Sequence, residues 1–286
     1  MSREEQVYLN GEFVPHSEAV VSVEDRGFNF ADGIYEVVRV VGGRPFRVED
    51  HLDRFEGGAH ALEIGLTLSR DEVRAAIQSA IAANDVVEGT VYIQLTRGSA
   101  PRSHPFPKGV TPTLVMLARP VGARAEDDWE QGVAVLTVPD LRWGYCEVKT
   151  IGLLPNLLAL QQAKTGECFE ALLVREGIVT EGSHTSAFCV RDGTVFTHPI
   201  DNILPAITRK NLIAALGEKG IDVREVGVPL DEFRSADEVF ITGTTVEVMP
   251  IVEIDGKGVG SGVPGELTRT ALGLYRRDLE SFRAGG

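Results

Sequence analysis

The chain begins with a hairpin signal, which commits its first part to antiparallel β-structure. Two short runs, Val-Tyr-Leu at 7–9 and Glu-Phe-Val at 12–14, flank the dipeptide Asn10-Gly11. Asn-Gly readily supplies the positive φ angles of a type I′ turn, the connection that matches the twist of two paired strands. Residues 35–41 are rich in β-branched side chains and predict a further strand, which a glycine pair then turns back.

Two amphipathic helices follow these strands. Residues 48–63 form one candidate. A second begins after Ser69, whose hydroxyl can cap the helix while Glu72 completes a capping box. An apolar stripe at helical spacing carries this second helix to Asn84. Further strands are predicted at 90–96 and 113–118.

The second half of the chain mixes strands and helices in the same way. Strands are predicted at 133–138, 171–174, 237–242 and 251–254, a hairpin through Asp192-Gly193, and helices at 156–164, 208–218 and 265–283. Residues 120–131 are polar and punctuated by Gly and Pro, which is typical of a linker. We therefore predict two domains of the α+β and α/β classes, a small N-terminal domain (1–119) and a larger C-terminal domain (132–286), joined by the linker 120–131.

Composition excludes several classes of partner. A formal net charge of −14 disfavours nucleic acids and anionic membrane surfaces, although a local basic cluster could still hold a small anion. The chain has neither a long apolar run nor a signal-peptide pattern, so we expect a cytoplasmic protein without a membrane span. Three widely spaced cysteines fit neither a disulfide framework nor a zinc site.

Common catalytic motifs do not explain the chain. It lacks a P-loop, an H-E-x-x-H zinc motif and a G-x-S-x-G elbow, and its six histidines show no metal-ligand spacing, so we expect no metal. Residues 260–265 match G-x-G-x-x-G, but they lie too near the C-terminus for a dinucleotide-binding unit and predict a loop.

One lysine offers chemistry of a different kind. Lys149 lies in the largely apolar run 147–156, just after a predicted strand. Desolvation there would lower the pKa of its amine and favour the neutral form that a Schiff base requires. Taken alone, a solvated lysine is the commoner explanation of such a residue.

Two turns and one loop bear on whether Lys149 forms a Schiff base or is an ordinary solvated lysine. Ile207-Thr208 opens a predicted helix and residues 242–245 follow a predicted strand, so both can offer N–H groups and hydroxyls to a phosphate, although each is also an ordinary cap or turn. Together with a buried lysine they indicate a phosphorylated cofactor. The Pro-rich loop with Arg102 and His104 is either an anion site or a solvated basic loop.

Eight segments in a fixed order carry a family resemblance. They are 24–27, 32–38, 51–54, 101–104, the segment around Lys149, 179–183, 207–209 and 242–245. Through them the chain resembles the fold-type IV class of pyridoxal-5′-phosphate (PLP) enzymes, and within that class the bacterial D-amino-acid transaminases. Each segment is weak alone, but the ordered series spans the chain and is highly specific.

The resemblance implies roles for the cofactor-binding residues. Lys149 would form the Schiff base with PLP and move a proton between the substrate α-carbon and C4′ of the cofactor. Glu181 would be ionised and keep the pyridine nitrogen protonated, so that the ring withdraws electrons. Leu204 would pack against the ring face. The remaining cofactor-binding positions, chiefly for the phosphate, are Arg54, Ile207, Thr208, Gly243 and Thr244.

The resemblance also implies how substrate is held. In D-amino-acid transaminases a tyrosine, an arginine and a histidine trap the substrate carboxylate, and Tyr35, Arg102 and His104 match these positions. The loop with the arginine and histidine comes from the neighbouring subunit, which implies a homodimer with composite active sites. One departure is Ser186, where family members commonly have asparagine.

The predicted reaction transfers the amino group of a D-amino acid, such as D-alanine or D-glutamate, to a 2-oxo acid such as 2-oxoglutarate or pyruvate. A branched-chain L-amino-acid transaminase on the same fold is the first alternative, and the intact carboxylate trap argues against it. Activity toward (R)-primary amines would be a side activity. An aminodeoxychorismate-type lyase would release pyruvate without an amino acceptor, and a binding module that only retains the fold would lack the yellow colour of lysine-bound PLP.

Overall fold

The computed structural model describes residues 4–122 and 126–285, and their contacts divide into two compact units. The N-terminal unit contains the described residues up to Gly122 together with Val148–Gly152. The C-terminal unit contains residues 126–147 together with Leu153–Ala284. The sequence places Lys149 in the C-terminal domain, whereas the contacts of its segment group it with the N-terminal unit.

The N-terminal unit is built on one antiparallel sheet with three α-helices. Its strands are β1 (Gln6–Leu9), β2 (Glu12–Pro15), β3 (Gly33–Val41), β4 (Arg44–Pro45), β5 (Gly89–Thr96) and β6 (Thr113–Pro120), and its helices are α1 (Arg26–Phe30), α2 (Val48–Ala61) and α3 (Arg70–Ala83), with a 3₁₀ turn at His16–Glu18. The six strands lie in the order β2-β1-β6-β5-β3-β4.

Local sequence rules account for several of these elements. The predicted hairpin is confirmed: Asn10 and Gly11 have φ angles of 52° and 107° and connect β1 to β2. The predicted capping box is also confirmed, because the Ser69 side chain accepts the N–H of Glu72 while the Glu72 side chain accepts the N–H of Ser69 at 2.8 Å. Helix α3 then ends at Ala83, as its apolar stripe predicts.

The core of this unit lies between the sheet and the two longer helices. Ile34, Val38 and Ile93 from the strands and Leu52 and Ile77 from the helices are each at most 1% exposed. Each such side chain contributes roughly 1.5–3 kcal/mol when it leaves water. Val148 joins the same core and is 7% exposed, so the segment next to Lys149 is anchored here.

The C-terminal unit contains a mixed sheet and five helices. The strands are β7 (Val133–Pro139), β8 (Glu170–Arg175), β9 (Ile178–Gly182), β10 (Ser186–Arg191), β11 (Thr194–Thr197), β12 (Val223–Glu225), β13 (Val228–Pro229), β14 (Glu238–Gly243), β15 (Glu247–Ile254) and β16 (Lys257–Gly258). The helices are α4 (Asp127–Gln131), α5 (Leu154–Thr165), α6 (Ile207–Glu218), α7 (Leu230–Arg234) and α8 (Glu266–Ala284).

These strands form a ten-stranded sheet in the order β12-β11-β10-β14-β15-β7-β8-β9-β13, with β16 paired to β15. Strand β7 runs parallel to both of its neighbours, β8 and β15. Parallel neighbours need a crossover connection, and the chain from β7 to β8 passes through α5. The hairpin predicted at Asp192-Gly193 is confirmed, since it joins β10 to β11.

Two expectations differ from the structure in detail. Helix α4 occupies the end of the predicted linker, because Trp129 is buried and its Nε1–H donates to the carbonyl of Val246 at 3.2 Å. Residues 123–125 of that linker lie outside the described residues. Lys149 does not directly follow a strand, because β7 ends at Pro139 and an irregular segment separates the two. Within the described part of the chain, no helix is long and apolar enough to cross a membrane.

Candidate active site

Lys149 lies against the first residues of β3. The N–H of Tyr35 donates to the carbonyl of Lys149 at 2.9 Å, and the N–H of Ile151 donates to the carbonyl of Gly33 at 3.1 Å. A Cβ at Gly33 would stand 2.5 Å from the carbonyl oxygen of Leu95, so this close approach of three chain segments requires glycine. The backbone around Lys149 is therefore fixed on both sides.

The side chains of Lys149 and Tyr35 are also neighbours. The Lys149 Nζ lies 4.2 Å from the centre of the Tyr35 ring. Lys149 is partly buried, which suits an amine that must meet a substrate. Two residues that the sequence assigns to different tasks, cofactor attachment and carboxylate binding, thus come together.

Arg54 is held in place by a buried carboxylate. Its Nε donates to Glu36 Oε1 at 2.7 Å and one terminal nitrogen donates to Oε2 at 2.9 Å, while His51 Nδ1 lies 2.8 Å from Oε2. Burial raises the pKa of Glu36, but the charge of Arg54 and the hydrogen bonds from Arg54 and His51 outweigh this effect. The pKa of Glu36 is therefore lowered to about 2. The two-pronged ion pair fixes the direction of the Arg54 guanidinium.

Glu181 stands at the end of β9 in a group of buried charges that we call the carboxylate cluster, consisting of Asp140, Arg142 and Glu181. An Arg142 terminal nitrogen donates to Glu181 Oε1 at 2.5 Å, and the N–H of Leu204 donates to the same oxygen at 3.1 Å. Burial raises the pKa of Glu181, while Arg142 and the Leu204 N–H oppose that rise. Both hydrogen bonds from the described residues end on Oε1, which leaves Oε2 to accept another.

Asp140 fixes the arginine of this cluster. The Arg142 guanidinium donates to both Asp140 oxygens at 2.9 Å, and Arg175 donates to Asp140 Oδ2 at 2.6 Å. The Asp140 side chain is fully buried. Burial raises its pKa, but the hydrogen bond and charge of Arg142 bring it down to about 2.

The two predicted phosphate-binding turns both belong to the C-terminal unit. Helix α6 begins at Ile207 after Ala206, which has no side-chain cap, so its first amides keep the donor capacity of an uncapped helix N-terminus. Gly243 is the last residue of β14, and Thr244 begins the turn that leads to β15. Helix α6 packs against β14, which leads into that turn.

Contacts from two helices fix the β14–β15 turn. Trp129 of α4 donates to the carbonyl of Val246, and the hydroxyl of Tyr275 of α8 donates to the carbonyl of Thr244 at 3.4 Å. Arg276 of α8 forms an ion pair with Glu247 at 2.9 Å, and Glu247 has a φ angle of 61°. These contacts hold the turn in a defined conformation.

Two buried hydroxyls near this turn have no hydrogen-bond partner among the described residues. They are Ser186 Oγ and Thr242 Oγ1, and the residues stand directly opposite each other in the β10–β14 pair. Ser186 is the position where the resembling family commonly has asparagine. A larger polar side chain there could satisfy the facing hydroxyl.

Arg102 and His104 lie on the β5–β6 loop, residues 97–112, and both side chains are exposed. The Arg102 guanidinium carbon lies 4.9 Å from the ring centre of Phe30, and the ring centres of His104 and Phe30 are 5.7 Å apart. The two predicted carboxylate ligands therefore share one aromatic neighbour. No hydrogen bond or ring contact within the described residues of one chain joins either of them to Tyr35.

Sequence reasoning missed the residues that hold the predicted ones. Glu36 and His51 lie within recognised segments, but nothing in their spacing shows that Glu36 binds Arg54 or that His51 binds Glu36. Asp140 and Arg142 lie in an irregular segment far from Glu181 in the chain, so no periodicity could pair them. The described residues contain no cluster of His, Cys, Asp or Glu that could hold a metal ion.

Known proteins resemble the chain over nearly its whole length. The profile of the family described as amino-transferase class IV matches residues 33–254. A D-alanine aminotransferase of Bacillus licheniformis is 38% identical over 98% of this chain and 99% of its own.

Solved structures give the same picture of the fold. A branched-chain amino acid aminotransferase of T.th., solved with pyridoxamine 5′-phosphate, superposes with a TM-score of 0.93 at 27% identity, covering 98% of this chain and 95% of its own. The branched-chain amino acid aminotransferase of Escherichia coli has a TM-score of 0.90 at 28% identity, covering 96% and 95%.

Proposed function

The chain belongs to the class IV aminotransferase family, and from that membership we propose that it transfers the amino group of a D-amino acid to a 2-oxo acid. The predicted fold-type IV class and the PLP-dependent aminotransferase activity are confirmed. We propose D-alanine and D-glutamate as donors, and 2-oxoglutarate and pyruvate as acceptors. The observation that carries this proposal is the pair Arg102 and His104 on one aromatic ring, in a chain whose relatives are D-alanine aminotransferases.

The residues present fit PLP. Glu181 has one carboxylate oxygen available to a protonated ring nitrogen, and the two orphaned hydroxyls of Ser186 and Thr242 lie close to the turn proposed for the phosphate. We propose that Arg54, Ile207, Thr208, Gly243 and Thr244 bind the phosphate, because they combine a fixed positive charge with main-chain donors. Leu204 would pack against the ring face. When bound, PLP supplies a ring that withdraws electrons from the breaking C–H bond.

Lys149 would hold the cofactor through Nζ and then act on the substrate. With PLP and substrate bound, the Lys149 Nζ would carry a proton between the substrate α-carbon and C4′ of the cofactor. The fixed backbone on both sides of Lys149 supports this role, because one amine must serve two nearby atoms. The neighbouring Tyr35 ring limits the volume the amine can sample.

Glu181 would keep the cofactor ring nitrogen protonated. Burial alone would favour a neutral carboxyl, which could not do so. Arg142 stabilises the ionised form at 2.5 Å, and Asp140 keeps Arg142 in position. We propose that this chain of charges maintains Glu181 as an anion.

The substrate carboxylate would bind Tyr35, Arg102 and His104. We propose a homodimer in which the β5–β6 loop serves the site of the neighbouring subunit, which suits the exposed position of both loop residues within one chain. Helix α5 supports association, because Leu154, Leu157 and Leu158 lie on one face and are 58–66% exposed. The free thiols support the proposed cytoplasmic location.

A branched-chain L-amino-acid transaminase is the second candidate, favoured by the structural similarity to such enzymes. Those neighbours are 26–28% identical, whereas the D-alanine aminotransferases are 37–39% identical over nearly the full length. A shared fold accommodates both specificities. The higher identity to the D-alanine aminotransferases and the proposed carboxylate trap both favour the D-amino acid.

A half-reaction tests the proposal directly. The yellow holoenzyme is mixed with D-alanine or with L-leucine, without an acceptor, and its visible absorbance is followed together with the oxo acid released. Loss of colour with D-alanine alone and one equivalent of pyruvate is expected. Loss of colour with L-leucine alone would assign the chain to the branched-chain class, and pyruvate release from aminodeoxychorismate without an acceptor would assign it to the lyases.

A further inference from the structure

Helix α1 holds the β5–β6 loop through contacts that the proposed chemistry does not use. Arg26 donates from one terminal nitrogen to the carbonyl of Ser103 at 2.6 Å and from the other to the carbonyl of His104 at 3.3 Å. Both acceptors are main-chain oxygens of the loop, one next to Arg102 in the chain and the other on His104 itself. Arg26 therefore fixes the course of the backbone at the point from which the two substrate ligands project.

Phe30 lies one helical turn beyond Arg26 and contacts the loop through its ring. It is the ring that Arg102 and His104 share, and the Arg26 guanidinium carbon also lies 4.7 Å from its centre. A cation over an aromatic face is attracted by the ring quadrupole. The backbone contacts from Arg26 and the ring contacts from Phe30 together cover three consecutive loop residues and meet at His104.

Helix α1 is itself fixed to the ends of the strands that carry the loop. Asp25, 1% exposed, caps the helix by accepting the N–H of Gly27 at 2.8 Å. It also accepts the hydroxyls of Thr96 at 2.9 Å and Thr113 at 2.7 Å, the last residue of β5 and the first of β6. The five-residue helix therefore cannot shift without breaking buried hydrogen bonds.

A shared carboxylate fixes the Arg26 side chain. Its Nε donates to Asp32 Oδ2 at 2.7 Å, and Arg97 donates to both oxygens of Asp32 at 2.8 and 3.0 Å. The side chains of Arg26 and Asp32 are 4% and 9% exposed. Because removing one member of a buried ion network leaves the others uncompensated, Arg26 has a single well-defined position.

We propose that Arg26 and Phe30 are positioning residues that set the affinity for the substrate carboxylate by holding the β5–β6 loop in its binding shape. The inference rests on the proposed function, in which Arg102 and His104 bind that carboxylate. Arg26 does not touch the substrate. It acts through the loop backbone, so substitutions at Arg26 and Phe30 affect substrate binding more than turnover.

Hydrogen exchange of the holoenzyme tests the positioning itself. In Arg26→Lys, which keeps the charge but cannot reach Asp32 and two carbonyls together, amides of residues 97–112 are expected to exchange about tenfold faster. Phe30→Leu should show a similar local increase and covers the case in which Arg26→Lys fails to fold. The control is Arg119→Lys in β6, which makes the same exchange at an exposed ion pair to Glu5 and should leave the loop unchanged. Unchanged loop exchange, or an increase spread over the whole unit, would overturn the inference.

Steady-state kinetics separate this inference from the proposed function. Arg26→Lys and Phe30→Leu should raise the KM for D-glutamate by up to about tenfold, with kcat changed less than about twofold. Arg102→Ala is the reference. If it raises KM while neither positioning variant does, the inference is wrong. If Arg102→Ala also leaves KM unchanged while the loop exchanges faster, carboxylate binding by the loop fails, whereas Arg26 and Phe30 stand as the residues that hold the loop.

Discussion

The carboxylate cluster of the C-terminal unit and the β5–β6 loop of the N-terminal unit hold their functional side chains in opposite ways. In the cluster, Glu181 is buried and is fixed through its own carboxylate by Arg142. In the loop, Arg102 and His104 are exposed. They are held mainly by hydrogen bonds from Arg26 to the loop main chain and by contacts with the Phe30 ring.

The difference indicates which property each region can vary. A buried carboxylate between fixed charges admits little chemical change, because any substitution leaves an uncompensated partner. A loop held by its carbonyls keeps its shape when side chains change, because the hydrogen bonds do not depend on side-chain identity. We infer that the cluster determines the chemistry and the loop determines which substrate enters.

Lys149 gives the largest expected effect and sharpens the comparison most, because the proposed chemistry requires its amine with every substrate. Lys149→Ala should lower kcat at least about 10⁴-fold for all amino donors. Steady-state assays with D-alanine and D-glutamate measure this. Lys164→Ala, which removes an exposed lysine that donates to the carbonyl of Phe169, is the control and should keep normal turnover. Turnover of Lys149→Ala close to the wild type would remove Lys149 from the mechanism.

Arg142→Met tests whether the carboxylate cluster stays stable when one of its charges is removed. Arg142→Met fills the space but leaves Glu181 and Asp140 without their common partner, so the free energy of unfolding should fall by about 3–5 kcal/mol. Urea denaturation of the apoenzyme measures it. The double variant Arg142→Met with Glu181→Gln should recover part of the loss. A single variant as stable as the wild type would contradict the difference drawn between the two regions.

Asp140 makes the stability of the cluster depend on pH. Its folded-state pKa is lowered from 3.8 to about 2, so its contribution to stability is present above pH 4 and is lost as the pH falls toward 2. The shift corresponds to about 2 kcal/mol. Between pH 5 and 2 the wild type should therefore lose about that much more stability than Asp140→Asn. An acid denaturation series measures the slopes, and Arg102→Ala, altered only in the loop, should follow the wild type.

Arg102 gives the smallest expected effect and the most selective one. Arg102→Ala should raise the KM for D-glutamate about tenfold and that for D-alanine less, with kcat nearly unchanged, because a dicarboxylate depends more on a fixed positive charge. Lys108→Ala in the same loop is the control for net charge. Equal losses for both substrates, or a loss confined to kcat, would break the division between chemistry and specificity.

Local rules in the sequence predicted most regular elements. The Asn10-Gly11 turn and the Ser69 capping box depend on neighbouring residues alone, and both formed as predicted. Helix α1 was not predicted. It is too short for a periodic signal, and it depends on hydrogen bonds from Asp25 to strands that lie far along the chain.

The candidate site shows the same limit. Motifs indicated Lys149 and Glu181, because their types and order match a family. The residues that orient them stayed hidden, since Arg142 meets Glu181 only after β7, β8 and β9 have assembled. Side-chain networks of this kind depend on tertiary pairing, which no periodicity in a single sequence encodes.

Residues Val148–Gly152 belong to the N-terminal unit although they follow β7 in the chain, and this affects the order in which the chain folds. Val148 completes a core whose other members all precede residue 119. During synthesis, that core stays unfinished until the chain has been extended past β7. A fragment that ends at Gly122 would lack Val148 and leave its position in the core unfilled. The placement of Lys149, the proposed Schiff-base lysine, is thus coupled to the completion of the N-terminal core.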